Sequence, residues 1–133
     1  MYMLDTNICI YIIKRRPAEI IEKFKTFNIS ELCISSITAA ELHYGVNKSQ
    51  RVEQNSDALA MFLSPLEILP FDDAAAYEYG IIRAELEKNG NTIGSMDLPI
   101  AAHAKAMNAI IVTNNEREFS RVSGIKVENW VTL

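Results

Sequence analysis

The segment Ala109-Ile110-Ile111-Val112-Thr113 is apolar without alternation. A strand of that kind has two buried faces, which is the pattern of a central parallel strand covered on both faces. Short runs of similar character recur at Tyr2-Met3-Leu4, Leu32-Cys33-Ile34 and Ile68-Leu69, with an edge strand expected near Lys126 to Val127. Helical patterns fill the intervals. They run over Ile8 to Lys14, from Pro17 to about Phe27, over Thr38 to Ser49 and over Val52 to Leu63, where Pro65 ends the helix. Asp72 or Asp73 starts a longer one, with Ala75, Tyr79, Ile82 and Leu86 at helical spacing and a stop at Gly90. Residues 97 to 107 form an Ala-rich helix, and a short turn or helix covers Asn115 to Phe119. Short strands alternating with helices predict an α/β chain folded as a three-layer α/β/α sandwich with a central, mostly parallel sheet.

At 133 residues the chain is expected to form one domain, residues 1 to 133. Its longest apolar run, Ile8 to Ile13, falls far short of the roughly twenty residues a membrane span needs, so a soluble cytoplasmic protein without membrane contact is expected. Cys9 and Cys33 sit in apolar surroundings without a C-x-x-C partner, which predicts buried thiols in a reducing compartment. The net charge of −4 argues against general coating of nucleic acid, yet a basic block, Lys14, Arg15, Arg16, Lys23 and Lys25, outweighs Glu19 and Glu22 locally.

In a parallel sheet the crevice beyond the carboxyl ends of the strands is the usual place for a site. Acidic residues follow strands at Asp5, at Glu41 early in the helix after the second strand, at Asp97 and in the turn ending at Glu118. Converging carboxylates suit phosphodiester hydrolysis, since they hold Mg²⁺ or Mn²⁺, which polarises the phosphate and activates water. Each has a plainer role available: Asp5 as a turn or helix cap, Glu41 as the far member of a Thr38-x-x-Glu41 capping box, Asp97 as a favourable charge at a helix start. Gly45 and Lys48 share a helical face with Glu41, giving either a close approach for a nucleic-acid backbone or a tight helix crossing. His103 is expected to be a satisfied structural histidine and His43 to be exposed. Phosphate-binding and dinucleotide-binding glycine loops are missing from the sequence, as is a serine-nucleophile elbow.

Four blocks carry a specific resemblance: Met3-Leu4-Asp5-Thr6-Asn7; Ile34-Ser35-Ser36-Ile37-Thr38 with Glu41, Leu42 and Gly45; Ile93-Gly94 with Asp97, Ile100, Ala101, His103 and Ala104; and Val112-Thr113-Asn114-Asn115 with Arg117, Glu118 and Phe119. In order and spacing they resemble the motifs of the PIN domain, and the whole chain is similar to VapC toxins of bacterial type II toxin–antitoxin modules. The resemblance implies a dimeric, Mg²⁺-dependent endoribonuclease, with Mn²⁺ as a substitute, inhibited by a cognate VapB-type antitoxin. Operator DNA would be met only indirectly, through the antitoxin complex. Asp5, Glu41 and Asp97 would be the acidic triad around the metal. Thr113, Asn115 and Glu118 would complete the site, although Asn114 and Asn115 stand where many relatives carry an aspartate. Asp97-Leu98-Pro99 is a second departure, tolerable if Pro99 falls in the first helical turn, which would place Asp97 near amides that keep it ionised.

Similarity to enteric members implies cleavage of initiator tRNA in the anticodon loop, with Lys14, Arg15, Arg16 and Lys48 as RNA-positioning groups. The apolar sides formed by Ile20, Ile21, Phe24 and Phe27, and by Leu59, Phe62 and Leu63, predict a homodimer face or an antitoxin groove unless they serve only the core. A PIN-fold interaction module without chemistry is the alternative. A phosphatase of the haloacid dehalogenase type would need an aspartate where Asn7 stands.

Overall fold

A computed structural model describes residues 1 to 131. Five strands, β1 (Tyr2–Leu4), β2 (Leu32–Ser35), β3 (Glu67–Leu69), β4 (Ile110–Val112) and β5 (Lys126–Glu128), form one sheet in the order β3-β2-β1-β4-β5. Every pairing is parallel. The unalternating strand is therefore interior, as its composition predicts, though β1 rather than β4 takes the middle. After β3 the chain crosses back to the other side of β1, so strand order reverses there and opens a crevice beyond the carboxyl ends of β1 and β4.

Period-two geometry explains the apolar strands. Met3, Cys33 and Ile111 face one layer, made by α5 (Asp73–Lys88) and α6 (Asp97–Ala106), where they meet Ile82, Leu86, Ile100 and Phe119. Leu4, Leu32, Ile34 and Val112 face the opposite layer, made by α1 (Thr6–Lys14), α2 (Ala18–Lys25), α3 (Ser36–Asn47) and α4 (Val52–Leu63). Full burial of side chains such as Leu4 and Ile34 contributes about 1.5 to 3 kcal/mol each. A short helix, α7 (Glu116–Phe119), follows β4.

Asp5 takes the helix-cap role open to it, its side chain accepting from the Ile8 amide at 2.9 Å at the start of α1; the start of α3 differs from expectation. Ser35 caps α3 through the Ile37 amide, which starts that helix at Ser36 and puts Thr38 inside it, fully buried. The Thr38-x-x-Glu41 capping box is thereby excluded. Ile20 and Leu59 are buried and Ile21, Phe24, Phe27, Phe62 and Leu63 pack around them, so these faces serve the core and do not themselves argue for a dimer. Phe27 is held between the rings of Tyr2 and Trp130, at 4.7 and 5.0 Å. Cys9 and Cys33 are free and buried, and burial pushes the Cys33 thiol up to about 11. Among the described residues no helix is long and apolar enough to cross a membrane.

Candidate active site

Acidic residues reach the crevice from the end of β1, from α3, from α6 and from α7. Asp5 leaves the end of β1, where its amide donates to the Val112 carbonyl of β4, and only 3% of its surface is exposed. Thr113, buried at the end of β4, hydrogen-bonds the Asp5 side chain and also accepts from the Asn115 amide at 2.8 Å. Glu41 lies further along α3 and accepts the Thr6 hydroxyl at 2.6 Å. Asp97 opens α6 and takes a 3.3 Å hydrogen bond from the Asn115 side-chain amide, which also donates to Glu118. Glu118 is held from its other side by the Gly94 amide.

Charge couples the group. Burial, with the neighbouring charges of Asp97 and Glu41, pushes the Asp5 carboxyl up to about 6 despite its bonds to Thr113 and Ile8. Asp97 is also raised, by burial first and then by Glu118 and Glu41. Its place at a helix start was expected to keep it ionised; desolvation and like charge outweigh those amides. Pro99 does fall in the first turn of α6, where a missing amide breaks no bond.

The donor set fits a hard divalent cation: its side chains offer carboxylate, hydroxyl and amide oxygens, and burial first, then mutual repulsion, raises two of the acids, which a positive charge would relieve. Among the described residues, no three His, Cys, Asp or Glu side chains approach closely enough to hold an ion alone.

Two further residues shape the site: Thr6 orients Glu41 and Gly94 holds Glu118 through its amide, while Asn114 bonds the Tyr11 hydroxyl at 3.1 Å. For Gly94 the signal is steric, since a Cβ there would lie 3.3 Å from the Asp97 carboxylate and 3.5 Å from that of Glu118. At Gly45 nothing lies within 4 Å of an added Cβ, which removes the tight-crossing reading. Gly45 instead lines a groove of about 320 Å³ with Glu41 and Lys14. Lys48 turns onto the exposed ring of Tyr44, 4.9 Å from its centroid. Arg15 and Arg16 follow α1 and are exposed. His43 is exposed as expected, whereas His103 is only half satisfied: its Nδ1 is 2.8 Å from the Ser35 hydroxyl and its buried Nε2 has no partner.

Comparisons with known proteins agree with this fold. The family profile described as PIN domain matches residues 2–125. The chain is 52% identical over 130 residues to ribonuclease VapC2 of Haemophilus influenzae, covering 98% of each. It is 49% identical over 129 residues to the tRNA(fMet)-specific endonuclease VapC of Shigella flexneri, covering 97% of each. The crystal structure of DNA-bound VapBC from Salmonella typhimurium superposes with a TM-score of 0.92 at 48% identity, covering 98% of each chain.

Proposed function

The chain belongs to the PIN domain family, and from that premise we propose that it is a VapC-type toxin, an endoribonuclease that depends on Mg²⁺ or Mn²⁺ and cuts the anticodon loop of initiator tRNA. The observation that carries this reading is the coupled set Asp5, Glu41, Asp97 and Glu118, gathered in the crevice beyond β1 and β4. A loss of chemistry with retention of fold would leave no reason to keep such a costly set together, which disfavours a mere interaction module.

Asp5, Asp97 and Glu41 are the residues that would hold the cation, directly or through water. When bound, the ion supplies Lewis-acid polarisation of the phosphate and lowers the pKa of an attacking water. Thr113 holds Asp5, Thr6 holds Glu41, and Asn115 spans Asp97 and Glu118, so each acid is oriented before substrate arrives. Glu118 is fixed by two donors and orders the wall of the pocket beside Asp97. Lys14, Arg15, Arg16 and Lys48 would meet phosphates of the RNA.

Inhibition by a VapB-type antitoxin and indirect contact with operator DNA through that antitoxin accompany this reading, supported by the similarity to a DNA-bound VapBC complex; dimerisation accompanies it from the family resemblance alone. Action in the cytoplasm accords with the free, buried thiols. Mapping new 5′ ends across cellular RNA after brief expression tests the target. Cuts in the initiator anticodon loop are expected; cuts confined to a ribosomal loop or an elongator tRNA would discard the target and keep the nuclease.

A further inference from the structure

Two hollows meet on α1. One is the groove containing Glu41; the other, about 380 Å³, is lined by Ile10, Tyr11, Lys14, Arg16 and Pro17. Ile10 and Lys14 belong to both and form the ridge between them. The Tyr11 hydroxyl accepts from the Asn114 side-chain amide at 3.1 Å, and Asn114 immediately precedes the Asn115 that holds Asp97 and Glu118. The tyrosine thus stands at the rim of the acidic crevice.

Cations surround it. The ion pairs among the described residues engage Lys23, Arg83 and Lys105, and none involves Lys14, Arg15 or Arg16. In a protein of net charge −4, three adjacent cations without an ion pair among the described residues concentrate positive potential in one place. An aromatic side chain in a concavity flanked by free cations matches a single-stranded nucleotide, whose base stacks while its phosphates are neutralised.

We propose that this hollow is a subsite for one unpaired nucleotide of the RNA substrate, its base stacked on Tyr11 beside Pro17 and its flanking phosphates met by Lys14 and Arg16. The subsite rests on the ribonuclease reading above and adds to it where a loop nucleotide is gripped. Tyr11 is the specificity-bearing member, because a base must be splayed from its neighbours to reach it.

The probe is an RNA hairpin with the sequence of the initiator anticodon arm, together with a series carrying one abasic nucleotide at each loop position. Tyr11→Leu is expected to weaken hairpin binding about tenfold and Tyr11→Phe to stay within about twofold of wild type, since stacking needs only the ring. One abasic position should cost wild type about as much as Tyr11→Leu does, and cost Tyr11→Leu nothing further. Arg16 is exposed, so Arg16→Gln leaves the core alone; it should lower the slope of log affinity against log salt by about 0.7. A wild type that binds and cleaves the hairpin while Tyr11→Leu and Arg16→Gln bind as tightly would overturn the subsite alone. A wild type that neither binds nor cleaves RNA would overturn the ribonuclease reading and the subsite together. Variants that bind RNA normally but release a VapB-type antitoxin would make the hollow a peptide site and equally overturn the proposal.

Discussion

Thr6 on α1 donates its hydroxyl to Glu41 on α3 across 2.6 Å, joining the helix capped by Asp5 to the helix that carries the second acid. A hydrogen bond to a charged group contributes about 1.5 to 3 kcal/mol. If it fixes Glu41 for catalysis, Thr6→Val should lower kcat about tenfold or more, and Thr6→Ser should restore most of it. Equal rates for wild type and Thr6→Val in steady-state RNA cleavage would show that Glu41 needs no such tether.

Asp5 is raised from 3.8 to about 6 in the folded, metal-free chain. A carboxyl that binds its proton more tightly when folded stabilises the fold below its unfolded value, and that stabilisation disappears as pH rises through about 6. Metal-free protein should therefore lose stability between about pH 4 and pH 7, with on the order of 3 kcal/mol as an upper bound for this one group. Urea unfolding at several pH values measures it. Saturating Mn²⁺ should flatten the dependence, because a bound cation offsets the desolvation and the lesser repulsion that raise Asp5.

The same burial predicts a trade of stability against activity. Asp5→Asn removes a desolvated charge while leaving an oxygen able to cap α1, so its metal-free melting temperature at pH 7 should rise by a few degrees. RNA cleavage should fall to background. A variant that melts lower than wild type without metal would mean that Asp5 is chiefly a structural cap.

His103 on α6 and Ser35 at the start of α3 meet at 2.8 Å, with the Phe71 ring 5.6 Å from the imidazole. This buried link spans the two helices that carry Asp97 and Glu41. His103→Leu should reduce cleavage about tenfold, His103→Asn should recover part of it by restoring a polar atom near Nδ1, and Ser35→Ala should add little to His103→Leu. Fully additive losses in that double-mutant cycle would remove the link from the positioning of the site.

The sheet was legible in the sequence because its strands are short, apolar and separated by strong helical periods, and Ile111 beside Val112 already implied two covered faces. Asp5 and Asp97 stood out as candidates because one follows a strand and the other opens a helix, and Glu41 because it lies early in the helix after β2. Local rules misplaced the cap of α3. Thr38-x-x-Glu41 satisfies the capping pattern, but the chain turns into its helix three residues earlier, on Ser35, and Glu41 is taken by Thr6 from another helix. The raised carboxyl of Asp97 depends on Glu118 and Glu41, brought near only by the sheet crossover. Tyr11 and Asn114 lie 103 residues apart, a distance no periodicity reports.

The most direct measurement follows initiator tRNA cleavage by purified wild type and Asp97→Asn in the presence of Mg²⁺, with EDTA as the paired control. Wild type should cut within the anticodon loop only when the cation is present, and Asp97→Asn, folded by circular dichroism, should not cut. Cleavage that persists in EDTA, or proceeds equally in Asp97→Asn, would contradict a cation-dependent mechanism built on these carboxylates.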